Sequence, residues 1–173
     1  GFDKNIDMAS VMRNVGFGFM VGGSVTAKVC DGNPKPWFHR LPKSHSLVVY
    51  AGLPNQGVER IAARLTTYPR RMFDDFPLVV SVAKTNSIAA ATDKEAIADY
   101  CASLKRLERD GVAPFYEINI SCPNTHGGEP FTTPERLEML LAAIDDLAIH
   151  RPISIKMPID KPWVEFRALL EVI

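Results

Sequence analysis

The chain has 173 residues, 46% of them hydrophobic and 23% charged, with 20 Lys and Arg balancing 20 Asp and Glu. That is enough apolar material for one packed core, and a neutral chain without a basic run argues against a nucleic-acid platform. No apolar stretch reaches the roughly 18 residues of a membrane span, and the three scattered cysteines form neither a disulfide framework nor a CxxC metal pair, which points to a reducing, cytoplasmic compartment.

The chain opens on "GFDKN", as if inside a strand-to-loop junction, and closes on "WVEFRALLEVI", an amphipathic helix with no stop signal. It therefore reads as a piece of a longer protein, truncated at both ends. The first predicted helix is Ile6 to Val15, ended by Gly16, and "FGFMVG" (Phe17 to Gly22) reads as a strand. A long excursion, "AKVCDGNPKPWFHRLPKSH", is expected to be irregular because of Asp31-Gly32 and its prolines. Gly57 to Leu65 reads as a helix, and "PLVVSVA" as a buried strand.

Two further helices carry clear end signals. Thr92 and Glu95 have capping-box spacing, Gly111 supplies a stop, and Ile97, Cys101, Leu104 and Leu107 fall on one face. Thr133 is a candidate cap followed by Pro134, with Leu137, Leu140, Leu141, Ile144 and Leu147 as the apolar stripe. The strands "FYEINI" and "PISIKM" lie between and after these helices.

Alternating, continuously apolar strands and helices predict an α/β protein with a parallel sheet. An open dinucleotide-binding sheet would place GxGxxG after an early strand, whereas "GFGFMVGG" has its glycines within and before one. Polar residues instead follow several different strands: Asp3-Lys4, Ser24, Ser81 with Lys84, Asn119 to Asn124, and Lys156. That distribution suits the mouth of a (β/α)8 TIM barrel, present as an incomplete amino-terminal portion of about five βα units.

Among the cysteines, Cys101 reads as a core residue and Cys30 as a loop residue open to solvent. Cys122 sits at a strand end in "NISCPNTHGG", between Asn119 and Asn124, and is either a packed thiol or a reactive one. Lys156, inside an otherwise apolar strand, either faces an anion or polarisable ring or reaches solvent past the strand end. Lys4 beside Asp3 is compatible with a surface ion pair, and the four histidines show no metal spacing.

"GFDKN", "GFGFMVGGSVT", "GNPKPWFHRLP", "GLPNQG", "NISCPNT" and "PISIKMP" occur in an order that resembles the dihydroorotate dehydrogenases, over Gly1 to about Pro158. The resemblance implies an FMN-binding barrel spanning residues 1 to 173 that oxidises dihydroorotate to orotate in pyrimidine biosynthesis. It implies flavin contacts at Gly1, Phe2, Lys4, Ser24, Ser81, Asn119 and Lys156, and substrate contacts at Lys4, Asn55, Asn119 and Asn124. Cys122 falls on the position of the base that takes the C5 proton while the C6 hydride goes to FMN. The glycines and His126 that follow would form a covering loop.

The family divides into cytosolic enzymes with a cysteine base and membrane-associated, quinone-using enzymes with a serine base. Cys122 and Pro54 resemble the first group, while the loop lengths from "GNPKP" to "GLPNQG" resemble the second, and Ser81 replaces an asparagine common there. The implied acceptor is quinone, with fumarate or a nicotinamide-linked subunit as alternatives. Location would be cytoplasmic, peripheral on the membrane if quinone is used, and a homodimer is compatible. A dihydropyrimidine dehydrogenase-like flavoprotein and an inactive half-barrel module are the competing readings.

Overall fold

The computed structural model describes residues 3 to 173. A short helix α1 (Ala9–Met12) and a 3-10 turn (Arg13–Val15) precede strand β1 (Met20–Val25), and β2 (Phe38–Leu41) and β3 (Ser46–Val49) follow it. Then come α2 (Gly57–Leu65), β4 (Leu78–Val82), α3 (Asp93–Asp110), β5 (Phe115–Asn119), α4 (Pro134–Asp145), β6 (Ile153–Lys156) and α5 (Trp163–Leu170).

Strands β1, β4, β5 and β6 form one parallel sheet in that order, and β2 and β3 pair as a separate antiparallel hairpin. The strand order follows the chain without reversal, and helices α2 to α5 pack side by side in the same sequence. A doubly wound sheet would reverse direction part-way. Single-direction winding with one helical layer is an arc of a (β/α)8 barrel. Among the described residues the arc holds four βα units rather than five.

In a parallel ladder, paired residues point to the same face. Leu78, Val80, Val82, Tyr116 and Ile118 face the helices and are buried against Ile61, Leu65, Leu104, Leu107, Leu137 and Leu140. Each such side chain contributes on the order of 1.5–3 kcal/mol when fully buried. The opposite row, Gly23, Ser81, Glu117 and Ser154, is polar and faces the barrel interior.

Several local expectations shift, each for a physical reason. The first helix is only a turn long, because the Asp3 carboxylate accepts the N–H groups of Asp7 (3.1 Å) and Met8 (2.7 Å) and Ile6 is left-handed at φ 58°. β1 begins at Met20, not Phe17, because pairing starts where the neighbouring segment arrives: Met20 N–H donates to the Pro77 carbonyl at 3.0 Å. The expected irregular excursion contains the β2–β3 hairpin. All eight of its strand residues are exposed, so no alternation of burial marks it in the sequence.

The Thr92–Glu95 capping box of α3 forms, and Gly111 closes the helix at φ 57° while donating to Leu107 and Glu108 carbonyls. The buried face is turned from the expected one, to Ala96, Tyr100, Ser103, Leu104 and Leu107, leaving Ile97 and Cys101 half-buried. Thr133 stands at the cap position of α4, but its hydroxyl makes no capping bond.

Candidate active site

The inner row becomes polar toward the carboxyl ends of the strands, where a cavity of about 350 Å³ opens. Its lining includes Lys4, Gly23, Ser24, Ser81, Glu117, Asn119, Ser121, Cys122 and Lys156. These residues come from the segment before α1, from β1, β4 and β5, from the loop after β5, and from the end of β6. Gly23 forms part of the wall, and its φ of +114° excludes ordinary side chains. A Cβ there would meet the Ser81 carbonyl oxygen at 2.7 Å, so only glycine lets β1 and β4 approach so closely.

A single hydrogen-bonded chain crosses the four strands. The Lys156 ammonium donates to Ser121 Oγ, which donates to Asn119 Oδ1 at 3.0 Å. Asn119 Nδ2 donates to Ser24 Oγ at 2.8 Å, and Ser24 Oγ shares a 2.8 Å bond with Ser81 Oγ. The Ser121 N–H also reaches Asn119 Oδ1 at 3.1 Å. Asn119 is thereby fixed in orientation, because one N–H of its amide is donated to Ser24 while its Oδ1 accepts from Ser121 on the other side. Below it, the buried Tyr100 hydroxyl donates to the Asn119 carbonyl at 2.8 Å.

Cys122 is half-buried; Lys4 and Lys156 line the cavity with it, and Lys84 lines a smaller space that it also borders. Burial is the main reason the Lys4 ammonium is less basic than usual; Cys122 partly offsets that effect and Lys156 adds to it. Lys84, in the loop after β4, is almost wholly buried, and its basicity is likewise lowered chiefly by burial, with Asp99 and Cys122 opposing. Lys156 is exposed at the strand end and lines the cavity.

The remaining expected residues lie elsewhere. Gly1 and Phe2 are outside the described residues. Asn55, expected at the substrate, is not among the residues that line this cavity. Its Nδ2 donates to Thr26 Oγ1 (2.8 Å) and the Leu53 carbonyl (2.9 Å), and its Oδ1 accepts from Gly57 (2.8 Å) and Thr26 (3.3 Å). That amide is fully engaged in shaping its own loop. Asn124 Nδ2 donates to the Val49 carbonyl at 3.1 Å, tying the loop to the hairpin rather than lining the cavity. Cys30, expected in solvent, is buried with its Sγ 3.4 Å from the Gly52 carbonyl. Asp3 makes its bonds to backbone N–H groups rather than to Lys4.

A protein-family model described as dihydroorotate dehydrogenase matches residues 1 to 172. The chain belongs to the dihydroorotate dehydrogenase family. It is 33% identical over 173 residues to a dihydroorotate dehydrogenase (quinone) of a Synechococcus strain, covering 99% of this chain and 44% of that protein. A dihydroorotate dehydrogenase (quinone) of Mycolicibacterium smegmatis is 36% identical over 160 residues, covering 92% and 42%. The ligand-free crystal structure of the Eimeria tenella enzyme aligns with a TM-score of 0.85 at 27% identity, over 99% of this chain and 52% of that one. The chain thus spans under half the length of these curated relatives. Similarity to the Eimeria structure supports the barrel arc that the strand order describes.

Sequence motifs pointed to Lys4, Ser24, Ser81, Asn119, Cys122 and Lys156, and all six line one cavity. They did not single out Ser121, Glu117 or Tyr100. A strand-end "NIS" places Ser121 two residues after Asn119, and that spacing was the available signal for an Asn–Ser side-chain bond.

Proposed function

We propose that this chain contributes the cysteine-bearing part of an FMN-dependent (β/α)8 barrel that oxidises dihydroorotate to orotate and passes the electrons to quinone. The observation that carries the reading is the convergence of Cys122, Lys4, Asn119 and Lys156 on one cavity at the carboxyl ends of parallel strands. Four strands cannot close a barrel, so the remaining strands would complete the cavity and their loops would hold the flavin phosphate.

The residues present fit the ring end of FMN. Ser24, Ser81, Asn119 and Lys156, which line the cavity, offer the donors and acceptors that a heterocycle edge requires. Bound there, FMN would supply the two-electron acceptor for the hydride that leaves C6 of the substrate. Cys122 Sγ takes the C5 proton, and the electron pair of that C–H bond becomes the C5–C6 double bond of orotate. Asn119, oriented by Ser24 and Ser121, keeps its second N–H available to the ring of the substrate. Lys4 faces the substrate carboxylate, whose negative charge offsets the burial that lowers this ammonium's basicity. Lys156 supplies fixed positive charge where negative charge grows during transfer.

Quinone is favoured as acceptor because the curated relatives compared above carry that designation. A lipid-phase acceptor would place the enzyme at the surface of the cytoplasmic membrane.

The test is anaerobic mixing of L-dihydroorotate with the flavin-loaded protein carrying the complete barrel, beside its Cys122→Ala variant, followed by flavin absorbance. Rapid bleaching in the first and a loss of at least about 100-fold in the second are expected for removal of a general base. Flavin that remains oxidised in both would overturn the substrate assignment. Reoxidation by a soluble quinone, compared with fumarate and NAD, decides the acceptor.

A further inference from the structure

The loop from Cys122 to Gly128 is held by side chains that the chemistry above does not use. Both main-chain polar atoms of His126 are gripped by one short segment after β4. The Lys84 ammonium donates to the His126 carbonyl, and the His126 N–H donates to Asn86 Oδ1 at 2.8 Å. Asn86 Nδ2 in turn donates to the Gly52 carbonyl at 3.1 Å and to Asn33 Oδ1 at 3.0 Å. Asn33 Nδ2 returns to the same loop, donating to the Asn124 carbonyl at 3.0 Å.

The position of Lys84 is costly. It is 3% exposed, and a lysine is almost never buried so completely without an assigned partner. It lines a small space together with Tyr100, Asn119, Cys122 and Thr125. Two bonds to opposite sides of one peptide residue fix the orientation of the loop as well as its position. Neither bond involves the imidazole, and His126 as a residue is exposed.

We propose that Lys84 and Asn86 are positioning residues that latch the Cys122–Gly128 loop, and that Cys122 is aimed into the cavity only while the latch is made. The proposal rests on the reading of Cys122 as the proton acceptor, but its primary readouts need no turnover. Releasing the latch frees the loop, so the thiol becomes more accessible to reagents and less well aimed at substrate.

The experiment uses the flavin-loaded protein with the complete barrel, as wild type and as Lys84→Met, Lys84→Arg, Asn86→Ala and His126→Ala. Iodoacetamide labelling of Cys122 is followed by peptide mapping, and cleavage within residues 122 to 128 by limited subtilisin digestion. Lys84→Met and Asn86→Ala are expected to raise both rates about ten-fold or more, the scale of one or two lost hydrogen bonds. His126→Ala keeps the gripped main chain and is expected to leave both rates within about two-fold. Lys84→Arg, which retains a charged donor, is expected to fall between wild type and Lys84→Met. In steady state with dihydroorotate, the latch variants should lower kcat more than they raise KM.

Unchanged labelling and cleavage in Asn86→Ala would overturn the latch, and so would a His126→Ala effect as large as that of Lys84→Met. Should Lys84→Met fail to fold, Asn86→Ala against His126→Ala still decides. If labelling behaves as expected while dihydroorotate does not reduce the flavin, the latch stands and the substrate assignment falls.

Discussion

Tyr100 shows how one residue couples the core to the site. Its ring packs edge-on against Phe131 (centroids 5.9 Å apart), and its hydroxyl donates to the carbonyl of Asn119, the residue that organises the polar chain. Burial holds its phenol far above the ordinary tyrosine range, so it acts as a neutral donor. Tyr100→Phe should cost about 1–2 kcal/mol, the usual loss for a buried acceptor deprived of its donor. Urea denaturation would measure this, and an unchanged midpoint would show that the bond contributes nothing. In the sequence, Cys122, Asn119 and Lys156 were legible because unusual residue types stood at strand ends. Tyr100, Ser121 and Asn86 were not, because nothing about a tyrosine in a helix or an asparagine in a loop announces a partner far along the chain.

Helix α3 carries the strongest local signals and still departs from its pattern. Its ends formed as expected because a cap and a left-handed glycine act within a few residues, and a cap of this kind is worth about 1 kcal/mol. Its rotation was set instead by the elements packed against it, chiefly α2, α4 and β4. One consequence is Ser103, whose Oγ is buried with no hydrogen-bond partner among the described residues. Burying such a hydroxyl costs on the order of 1 kcal/mol, and alanine is also the better helix former. Ser103→Ala should therefore raise the melting temperature by a few degrees, as read by circular dichroism. A lower melting temperature would mean that the hydroxyl has a partner in solution.

Across the molecule, stability depends on ties between neighbouring βα units. Arg106 on α3 reaches Glu59 on α2 at 2.6 Å and also pairs with Asp110 near the end of its own helix. The bond from Arg106, assisted by its charge and by Arg109, holds the Asp110 carboxyl below its ordinary value of 3.8. Folding then favours the ionised form. This contribution is present above that value and is lost as the pH falls through the lower, folded value. Asp110→Asn should flatten the acid limb of the stability profile below about pH 4. A profile parallel to wild type would show that the pair is fully screened by solvent. At the same scale, β6 is an edge of the sheet, and the inner residues Val21 and Phe115 are 38% and 41% exposed, surface that the rest of a barrel would cover. No helix among the described residues is long and apolar enough to cross a membrane.

The sequence by itself determined the parallel α/β architecture, the ends of α3, and six residues that share one cavity. Apolar periodicity, caps and strand-end polar residues act over a few positions, so they can be read locally. Only the tertiary structure decided the length of the first helix, the turn of α3, the β2–β3 hairpin, the bonds of Asn55 to Thr26, Leu53 and Gly57, and the grip of Lys84 and Asn86 on His126. The bond from Asn119 to Ser24 joins residues 95 positions apart. Such contacts depend on strand register and on which segments compete for each donor, and those exist only once the sheet has formed.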